Sequence, residues 1–475
     1  MSRHDLAILG AEVIDGTGAP AFRAEVHVRG DRISAVRPPG SAEPAAEVIR
    51  ADGLTLVPGF IDVHTHDDMA LIHTPEMRAK VSQGITTVIT GLCGYSPAPL
   101  PDGATLPEEY GILIPEGGRT FARFGDYLAA VEAARPAVNS LALVGHSTLR
   151  VATMNDLSGA AGAGELAQMC RLLDQALADG AAGLSSGLAY AVASAAPTDE
   201  LVTLCERLAE RQAPYVTHVR DEADALADAV AEALEIGRRA GVPVILSHHK
   251  AMGAQNHGAV AHTLGMIDDA CCRQKVGLDV YPYTYSSTSL TPARAARGGR
   301  IVVTRSAAMP HMVGRTLTDI AAELGCVPVE AARRLQPAGA LFHLMSEIDV
   351  RRVLTHPLTM IGSDGLPFDP MPHPRLWGSF PRVLGHYARD LGLLSLETAV
   401  FKMTGLPARF FGLTGRGVIA EDGFADLVLM DPLTIADRTT PSDPTAPCRG
   451  IRHVRVNGQP AQVGAGRRLG GPFRH

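Results

Sequence analysis

The sequence lacks the features typical of membrane, nucleic-acid-binding and disulfide-stabilised proteins. It has no continuously apolar span of about 18 residues, and its first residues contain no apolar segment of the kind found in signal peptides. The net charge is only −7, without a dense basic patch. The seven cysteines are an odd number at irregular spacing, which favours a reducing compartment over a disulfide framework. We therefore expect a cytoplasmic protein with no membrane anchor and no nucleic-acid partner.

The composition and the first residues indicate a large protein that begins with a β unit. The chain has 475 residues, of which 46% are hydrophobic, so it can bury a large core and form more than one domain. Residues 1–56 contain short alternating runs separated by Gly and Asp, a pattern typical of antiparallel strands joined by tight turns. We expect a small β unit without a helix here.

From residue 57 to residue 414, strand-like runs alternate with helical patterns. Within 222–240 and 166–177, apolar residues recur at helical spacing. Eight strand-like runs end at or near His66, Gly91, His146, Ser186, His218, His248, Tyr281 and Asp364. Eight repeats of strand and helix predict an α/β fold, a distorted (β/α)₈ TIM barrel, whose chemistry is carried at the C-terminal ends of the strands.

Two further segments complete the predicted domain organisation. About eighty residues separate strands seven and eight, far more than an ordinary connection, so residues 286–347 are predicted to form an inserted subdomain that could act as a lid. Residues 415–475 return to β texture with turns like those of residues 1–56. We expect both chain ends to pair into one small β-sandwich domain.

Histidine and cysteine residues at strand ends are candidate metal ligands. His64 and His66 follow a Pro-Gly turn and a short apolar run, and strand alternation points them to the same side. A structural imidazole and a solvated one are the alternative. Cys93 follows strand two between glycines, where a thiolate could bind zinc and bridge two ions. A buried, inert cysteine is the alternative reading.

Three more candidates end later strands. His218 and His248 end strands five and six, 30 positions apart, and neighbouring strands are close enough for both imidazoles to reach one ion. His249 should face the other way and is interpreted as structural. Asp364 ends strand eight and could coordinate a metal and accept a proton from water. A turn-forming Asp before Gly is the competing interpretation.

A second set of residues could bind a carboxylate. Lys250 should share the face of His248, so its ammonium could hold a substrate carboxylate or an oxyanion. Arg375 lies just past strand eight and could bind a carboxylate with two donors, although a surface Arg is equally compatible with the sequence. Tyr281 and Tyr283 should share one face of strand seven, and at least one of them could instead be a core residue.

The motifs together resemble the amidohydrolase superfamily and, within it, the N-acyl-D-amino-acid deacylase (D-aminoacylase) family. The resemblance covers essentially the whole chain. Its carriers are Pro58-Gly59-Phe60-Ile61-Asp62-Val63-His64-Thr65-His66, Gly91-Leu92-Cys93-Gly94, Ser247-His248-His249-Lys250, Asp279-Val280-Tyr281-Pro282-Tyr283-Thr284, Ser363-Asp364-Gly365 and His373-Pro374-Arg375-Leu376-Trp377-Gly378. The first motif is common to the superfamily, and the others together are specific to this branch.

The resemblance implies one tightly bound Zn²⁺ and a second, weaker position. Cys93, His218 and His248 would hold the first ion, with His64, His66 and Asp364 around the second. Strand four has no Lys to bridge two metals, and Cys93 takes that place. This departure argues against a hydantoinase or dihydroorotase. Lys250, Arg375 and a strand-seven Tyr would bind the free carboxylate of the substrate.

The activity implied by the resemblance is hydrolysis of N-acyl-D-amino acids to a carboxylate and a D-amino acid. The metal would activate water, and Asp364 would act as general base and then general acid. A related amidohydrolase acting on a cyclic amide or on a dipeptide with a D-residue is the alternative enzyme, and a metal-binding scaffold without activity is the non-enzymatic one. The sequence leaves open the side-chain and acyl preferences, the number of metals and the oligomeric state.

Overall fold

The computed structural model describes residues 4–41, 43–101, 104–115 and 118–470. Strands form in the first 58 residues, in the region where strands and helices alternate, within residues 286–343, and near the C-terminus. The first seven strands are β1 (His4–Leu9), β2 (Glu12–Val13), β3 (Phe22–Arg23), β4 (Glu25–Arg29), β5 (Arg32–Arg37), β6 (Ala45–Arg50) and β7 (Thr55–Pro58). Strands of the alternating region are β8 (Phe60–Asp62), β9 (Ile85–Thr90), β10 (Asn139–Ala142), β11 (Val144–Gly145), β12 (Leu184–Gly187), β13 (Tyr215–His218), β14 (Val244–Leu246) and β15 (Val276–Val280). The remaining strands are β16 (Ser286–Ser289), β17 (Arg300–Ser306), β18 (Ala338–His343), β19 (Thr359–Ile361), β20 (Leu427–Met430), β21 (Ile451–Val456) and β22 (Gln459–Pro460).

Helices lie between the strands of the alternating region and follow them. They are α1 (Ala70–His73), α2 (Arg78–Val81), α3 (Phe124–Ala134), α4 (His146–Thr153), α5 (Ala163–Asp179), α6 (Ala191–Ser194), α7 (Thr198–Glu206), α8 (Leu226–Ala240), α9 (Val260–Cys271), α10 (Pro292–Ala295), α11 (Leu317–Glu323), α12 (Pro328–Arg334), α13 (Glu347–Thr355), α14 (Arg375–Arg382), α15 (Leu396–Met403) and α16 (Gly405–Phe410). A π-helical segment at Val383–Asp390 continues α14. Among the described residues, no helix is long and apolar enough to cross a membrane.

The strands whose ends carry the candidate metal ligands run parallel. Strands β8, β9 and β10 form one sheet, and β11, β12, β13, β14, β15 and β19 form another. Leu143 alone separates β10 from β11, so one chain segment continues from the first sheet into the second. A parallel bridge between Thr65 and Gly365 links the ends of β8 and β19. The eight runs predicted from the sequence all contain strands, and those strands are buried throughout, as expected of parallel strands covered by helices.

Helix α8 begins later than the sequence pattern predicted. The expected helix spanned 222–240, whereas α8 begins at Leu226. The side chain of Asp221 accepts hydrogen bonds from the backbone N–H groups of Ala223 (2.5 Å) and Ala225 (3.4 Å). Such side-chain acceptors compete with the helix for backbone donors. Glu222 therefore lies before the helix, close to the end of β13.

The segment between strands β15 and β19 has its own sheet and core. Strands β16, β18 and β17 form a three-stranded antiparallel sheet. Its buried apolar residues form a cluster separate from the main core, and Ile301, Val303, Ile320 and Phe342 belong to it. These three strands lie within residues 286–347, where the sequence predicts an inserted subdomain.

The two chain ends contribute to one sheet. The six-stranded sheet has the order β22-β21-β20-β7-β2-β3, in which β20 pairs antiparallel with β7. A second, four-stranded sheet has the order β5-β4-β1-β6. Apolar side chains from both sheets, including Leu6, Val26, Leu56 and Leu427, share one buried cluster. No helix occurs among the described residues before α1, as the sequence predicted.

Candidate metal centre and active site

The six predicted metal ligands converge in two groups that share one thiol. One ligand atom from each of His64, His66, Cys93 and Asp364 lies within 4.8 Å of the others, and the same holds for Cys93, His218 and His248. The Cys93 Sγ atom lies 3.3 Å from His64 Nε2, 3.7 Å from His218 Nδ1 and 3.5 Å from His248 Nε2. All six residues are buried. The strand-end positions predicted from the sequence thus meet at one place.

Three of these residues have an unusual backbone conformation. Cys93, His248 and Asp364 have positive φ angles of 54°, 35° and 49°. Residues with a Cβ atom seldom adopt this region, and such strain is concentrated at functional sites. Each of the three lies just beyond the end of a strand, where alternation along the strand no longer sets the direction of the side chain. The turns, together with the strands, aim these donors at the common centre.

The charges of the centre favour ionised donors. Burial by itself would raise the pKa of the Cys93 thiol, but His64, His218 and His248 hold it well below its ordinary range. Burial likewise opposes ionisation of Asp364, but Arg375 and His248 keep the pKa of this carboxyl well below its usual value. A thiolate, imidazoles and a carboxylate are donors that Zn²⁺ prefers, and the ion would displace the protons that the imidazoles otherwise carry. The residues present therefore fit a zinc ion.

Two carboxylates that the sequence analysis missed lie behind the imidazoles. Glu222 Oε1 is 2.9 Å from His248 Nδ1, and Glu222 Oε2 is 3.4 Å from His218 Nε2. Asp279 Oδ2 is 3.2 Å from His64 Nδ1, and Asp279 Oδ1 accepts a hydrogen bond from the backbone N–H of His248 (3.0 Å). Carboxylates in this position fix the orientation and tautomer of metal-binding imidazoles. The only sequence signal for Glu222 was its position four residues after His218.

A cavity of about 420 Å³ opens onto the centre. His66, His218, His248 and Asp364 form part of its wall. Lys250 and Tyr281 also line it, as do Phe342 and Leu344 of the inserted segment. The cavity is large enough for a small organic molecule, and candidate metal ligands and candidate substrate-binding residues share one wall.

Lys250 lies where the sequence predicted, but its ammonium group has partners in the protein. Lys250 Nζ donates to Glu222 Oε1 at 2.5 Å and to the backbone oxygen of His248 at 2.9 Å. Burial alone would lower the pKa of Lys250, but Glu222 and other neighbours raise it. The group is therefore a cation held in a fixed position in the cavity wall.

Arg375 is a buried residue, which excludes the alternative of a surface Arg. Its Nη1 atom lies 2.8 Å from Asp364 Oδ2, and its Nη2 atom donates to the backbone oxygen of Ser287 at 3.2 Å. The guanidinium carbon lies 4.5 Å from the centre of the Tyr281 ring. Among the described residues, Nε and Nη1 of Arg375 have no aligned hydrogen-bond acceptor.

The prediction for Tyr283 needs a correction. Strand β15 ends at Val280, so alternation does not continue through Tyr281 and Tyr283, and the two side chains go to different places. Tyr281 lines the cavity, whereas the hydroxyl of Tyr283 donates to Asp437 at 2.9 Å and is absent from the cavity wall. The structure thus separates two residues that the sequence could not distinguish.

Two histidines near the strand ends point away from the centre. His249 Nε2 contacts Thr263 Oγ1 at 2.8 Å, in agreement with the structural role predicted for it. His146 does not end a strand as expected, because β11 stops at Gly145 and His146 begins α4. Its Nε2 atom lies 2.8 Å from Glu200 Oε1. Neither residue belongs to the candidate centre.

The parallel strands and the donor cluster at their ends define the class of protein. Residues 47–462 match the sequence model of the amidohydrolase family. The chain therefore belongs to this family. The chain is 50% identical over 99% of its length to N-acyl-D-aspartate deacylase and 49% identical over 96% to D-aminoacylase, both from Alcaligenes xylosoxydans xylosoxydans and both covered to 94%. These relatives confirm the branch predicted from the sequence.

A solved structure shows the same architecture. The N-acyl-D-glutamate deacylase from Bordetella bronchiseptica, complexed with zinc and a phosphonate inhibitor that mimics the tetrahedral intermediate, is 46% identical to this chain. The comparison has a TM-score of 0.96 and covers 99% of this chain and 100% of the other. The chain therefore has the amidohydrolase fold along its whole length.

Proposed function

We propose that this protein hydrolyses the amide bond of N-acyl-D-amino acids, giving a carboxylate and a D-amino acid. The observation that carries the proposal is the convergence of Cys93, four imidazoles and Asp364 beside the cavity. The likeness to three deacylases of this kind, at 48 to 50% identity over nearly the whole chain, supports it. The chain also lacks a strand-four Lys, which a hydantoinase-type centre would use.

The fold and domain boundaries that we propose follow the sheets. Residues 57–414 form a distorted (β/α)₈ barrel that includes the inserted subdomain 286–347, and residues 1–56 and 415–475 form a β-sandwich domain. The bridge between Thr65 and Gly365 supports closure of the barrel. Pairing of β20 with β7 supports the joining of the two chain ends.

For the metal, we propose that Cys93, His218 and His248 hold one Zn²⁺ tightly. His64, His66 and Asp364, with Cys93 shared, would form a second, weaker position. Bound zinc would polarise the amide carbonyl and lower the pKa of a water molecule. Glu222 and Asp279 would keep His248 and His64 in the orientation that presents the other ring nitrogen to the ion.

The proton transfers are assigned to Asp364. Its carboxylate lines the cavity, with Oδ1 3.2 Å from His66 Nε2 and Oδ2 paired with Arg375. Because the pKa of Asp364 is held well below its usual value, the group is ionised at neutral pH and can accept a proton from water. It then donates this proton to the amide nitrogen as that nitrogen leaves.

The substrate carboxylate would be bound by Arg375, Lys250 and Tyr281. The Nε donor of Arg375, which has no acceptor among the described residues, supports this assignment, because buried donors of this kind normally have a partner. The Lys250 Nζ atom lies 5.4 Å from the centre of the Tyr281 ring, so the three groups are neighbours. Tyr283, predicted as an alternative, lies outside the cavity wall and has no place in this assignment.

The part of the cavity wall that the inserted segment contributes indicates which substrate side chain the site favours. Arg294 lines the cavity, donates to Ser289 Oγ at 2.6 Å and stacks near the ring of Tyr190 at 5.3 Å. Among the described residues, the hydrogen bonds that the Arg294 side chain donates go to the backbone oxygen and the hydroxyl of Ser289, and none goes to a carboxylate. An unpaired cation favours an anionic ligand, which supports an acidic D-residue as substrate.

Substitution of Asp364 by Asn tests the mechanism. We expect Asp364→Asn to keep most of its tightly bound zinc and to lose nearly all turnover, because the amide cannot accept the proton. Zinc content and hydrolysis of N-acetyl-D-glutamate are the measurements. Asp369→Asn, a change of the same kind in the same loop, is the control and should remain active. Normal turnover by Asp364→Asn would refute the general-base assignment.

A substrate panel separates the competing activities. It contains N-acetyl-D-amino acids with acidic and apolar side chains, their L forms, hydantoins and dipeptides with a D-residue. We expect hydrolysis of the acetylated D-forms, with the acidic ones preferred. Cleavage of hydantoins or dipeptides alone would favour the alternative enzyme. Zinc binding without hydrolysis of any compound would favour a scaffold.

A further inference from the structure

A second group of potential metal ligands lies outside the active-site cavity, at the four-stranded sheet β5-β4-β1-β6. His4 on β1, His27 on β4 and Glu43 before β6 each offer one ligand atom, and these atoms lie within 4.8 Å of one another. Core residues Val26 and Val28 flank His27 on β4. Since neighbouring side chains on a strand alternate between faces, His27 lies on the face opposite to the core.

His27 is a buried imidazole without a partner. The residue is fully buried, and neither Nδ1 nor Nε2 has a hydrogen-bond partner among the described residues. Glu25 Oε2, 3.9 Å from His27 Nε2, is also buried and without a partner. Buried polar atoms are nearly always paired with protein, water or an ion. Three orphaned atoms at one place therefore indicate that something else is bound there.

The surrounding side chains are arranged as they are around metal-binding residues. His4 Nε2 lies 2.6 Å from Glu43 Oε2, and His4 Nδ1 lies 2.8 Å from Ser34 Oγ. The serine thus fixes one nitrogen of His4 and directs the other towards Glu43, as outer contacts do for metal-binding imidazoles. The rings of His4 and His27 are 4.7 Å apart. Donors around a tetrahedral zinc ion are about 3.3 Å apart, so rotations of side chains suffice.

The charges at this place suit a cation. Glu43 and Glu25 supply negative charge. Arg37, which faces the group, is paired with Glu43 Oε1 at 3.1 Å and with Glu421. Its charge is thereby balanced.

We propose that His4, His27 and Glu43, with Glu25 beside them, bind a divalent transition-metal ion of the Zn²⁺ class. This site is separate from the deacylase centre and stabilises the β domain by joining β1, β4 and the segment before β6. Imidazole and carboxylate donors favour zinc, cobalt or nickel over magnesium or calcium. The inference does not depend on the proposed function, since none of these residues lines the active-site cavity.

The metal content of the full-length protein tests this site. After equilibration with excess Zn²⁺ and removal of free metal, we expect His4→Gln and Glu43→Gln to hold one equivalent less than the wild type. Their deacylation rates should be unchanged. His453→Gln, which alters an exposed histidine on β21, is the matched control and should keep the wild-type content. Equal content in all four proteins would overturn the proposal.

Cobalt gives an independent measurement. Co²⁺ at the active-site cluster should show charge-transfer absorption from the Cys93 thiolate, whereas Co²⁺ bound by His4, His27 and Glu43 should not. In the wild type we expect cobalt uptake of one further equivalent without charge-transfer absorption. That uptake should be lost in His4→Gln. Identical titrations of both proteins would count against the site even if the deacylase activity is confirmed.

Discussion

Glu222 is the residue that connects the candidate ligands with the cationic wall of the cavity. It contacts His218, His248 and Lys250 at 3.4, 2.9 and 2.5 Å. Because its carboxylate fixes the orientation of two imidazoles, we expect Glu222→Gln to weaken zinc binding about 10- to 100-fold. Competition with a chelator measures this affinity. Glu232→Gln, which removes a carboxylate paired with Arg220, should have little effect, and unchanged affinity in Glu222→Gln would contradict the role.

Arg375 provides a second prediction at the scale of the residue. We expect Arg375→Ala to raise the KM for N-acetyl-D-amino acids by about 30- to 100-fold, the loss expected for a charge-assisted hydrogen-bond pair. The substitution also removes the partner of Asp364, which lowers kcat for any substrate. An N-acyl amine without the carboxylate separates the two effects, because its KM should change little. Equal KM changes for both compounds would remove Arg375 from the carboxylate site, and Arg382→Ala on the same helix is the control.

At the scale of elements, the turns after the strands decide where the donors go. Gly91 follows β9 and has a φ of +75°, and a Cβ atom there would lie 2.0 Å from the backbone oxygen of Leu143. Gly241 after α8 has a similar φ of +69° but open space around the Cβ position. Substitution of either glycine by Ala should destabilise the protein by about 1 kcal/mol, because the new side chain would have to adopt the left-handed backbone conformation. Only Gly91→Ala must also displace the backbone of Leu143, between β10 and β11.

We therefore expect Gly91→Ala to lower the melting temperature clearly more than Gly241→Ala and to reduce zinc content as well. Thermal unfolding and metal analysis of the two variants measure this. Similar melting temperatures with full zinc content in both would show that the turn tolerates a side chain and does not fix Cys93.

At the scale of the whole molecule, a buried polar network joins the parallel strands to the C-terminal part of the chain. Asp426 pairs with Arg416 and accepts hydrogen bonds from Asn139 Nδ2 at 3.1 Å and from the backbone N–H of Asn457 at 2.8 Å. Asn457 in turn donates to Asn139 at 2.8 Å. Asn139 lies on β10 and the others beyond residue 411. The network therefore joins residues that are more than 250 positions apart in the sequence.

Removal of the charge of Asp426 should destabilise the whole protein. Asp426→Asn leaves the buried Arg416 without its counter-ion, and breaking a buried pair costs about 3 to 5 kcal/mol. We expect one cooperative unfolding transition at a lower denaturant concentration. Asp174→Asn breaks an exposed pair with Arg207 and should cost less than about 1 kcal/mol. Similar losses in the two variants would show that the network does not couple the two parts.

The sequence alone predicted which strand ends carry the candidate metal ligands. His64, His66, His218 and His248 could be assigned because alternation, helical spacing and strand ends are local properties of the chain. The same local rules misplaced His146 and the start of α8, because side-chain hydrogen bonds and helix starts change element ends.

Only the tertiary structure decided which residues support the centre. It separated Tyr281 from Tyr283, buried Arg375 against Asp364 and placed Glu222 and Asp279 behind the imidazoles. His64 and Asp279 are 215 positions apart, and no local pattern relates them. Their contact arises when the parallel strands come together, since strand neighbours are set by how the chain packs and not by nearby sequence.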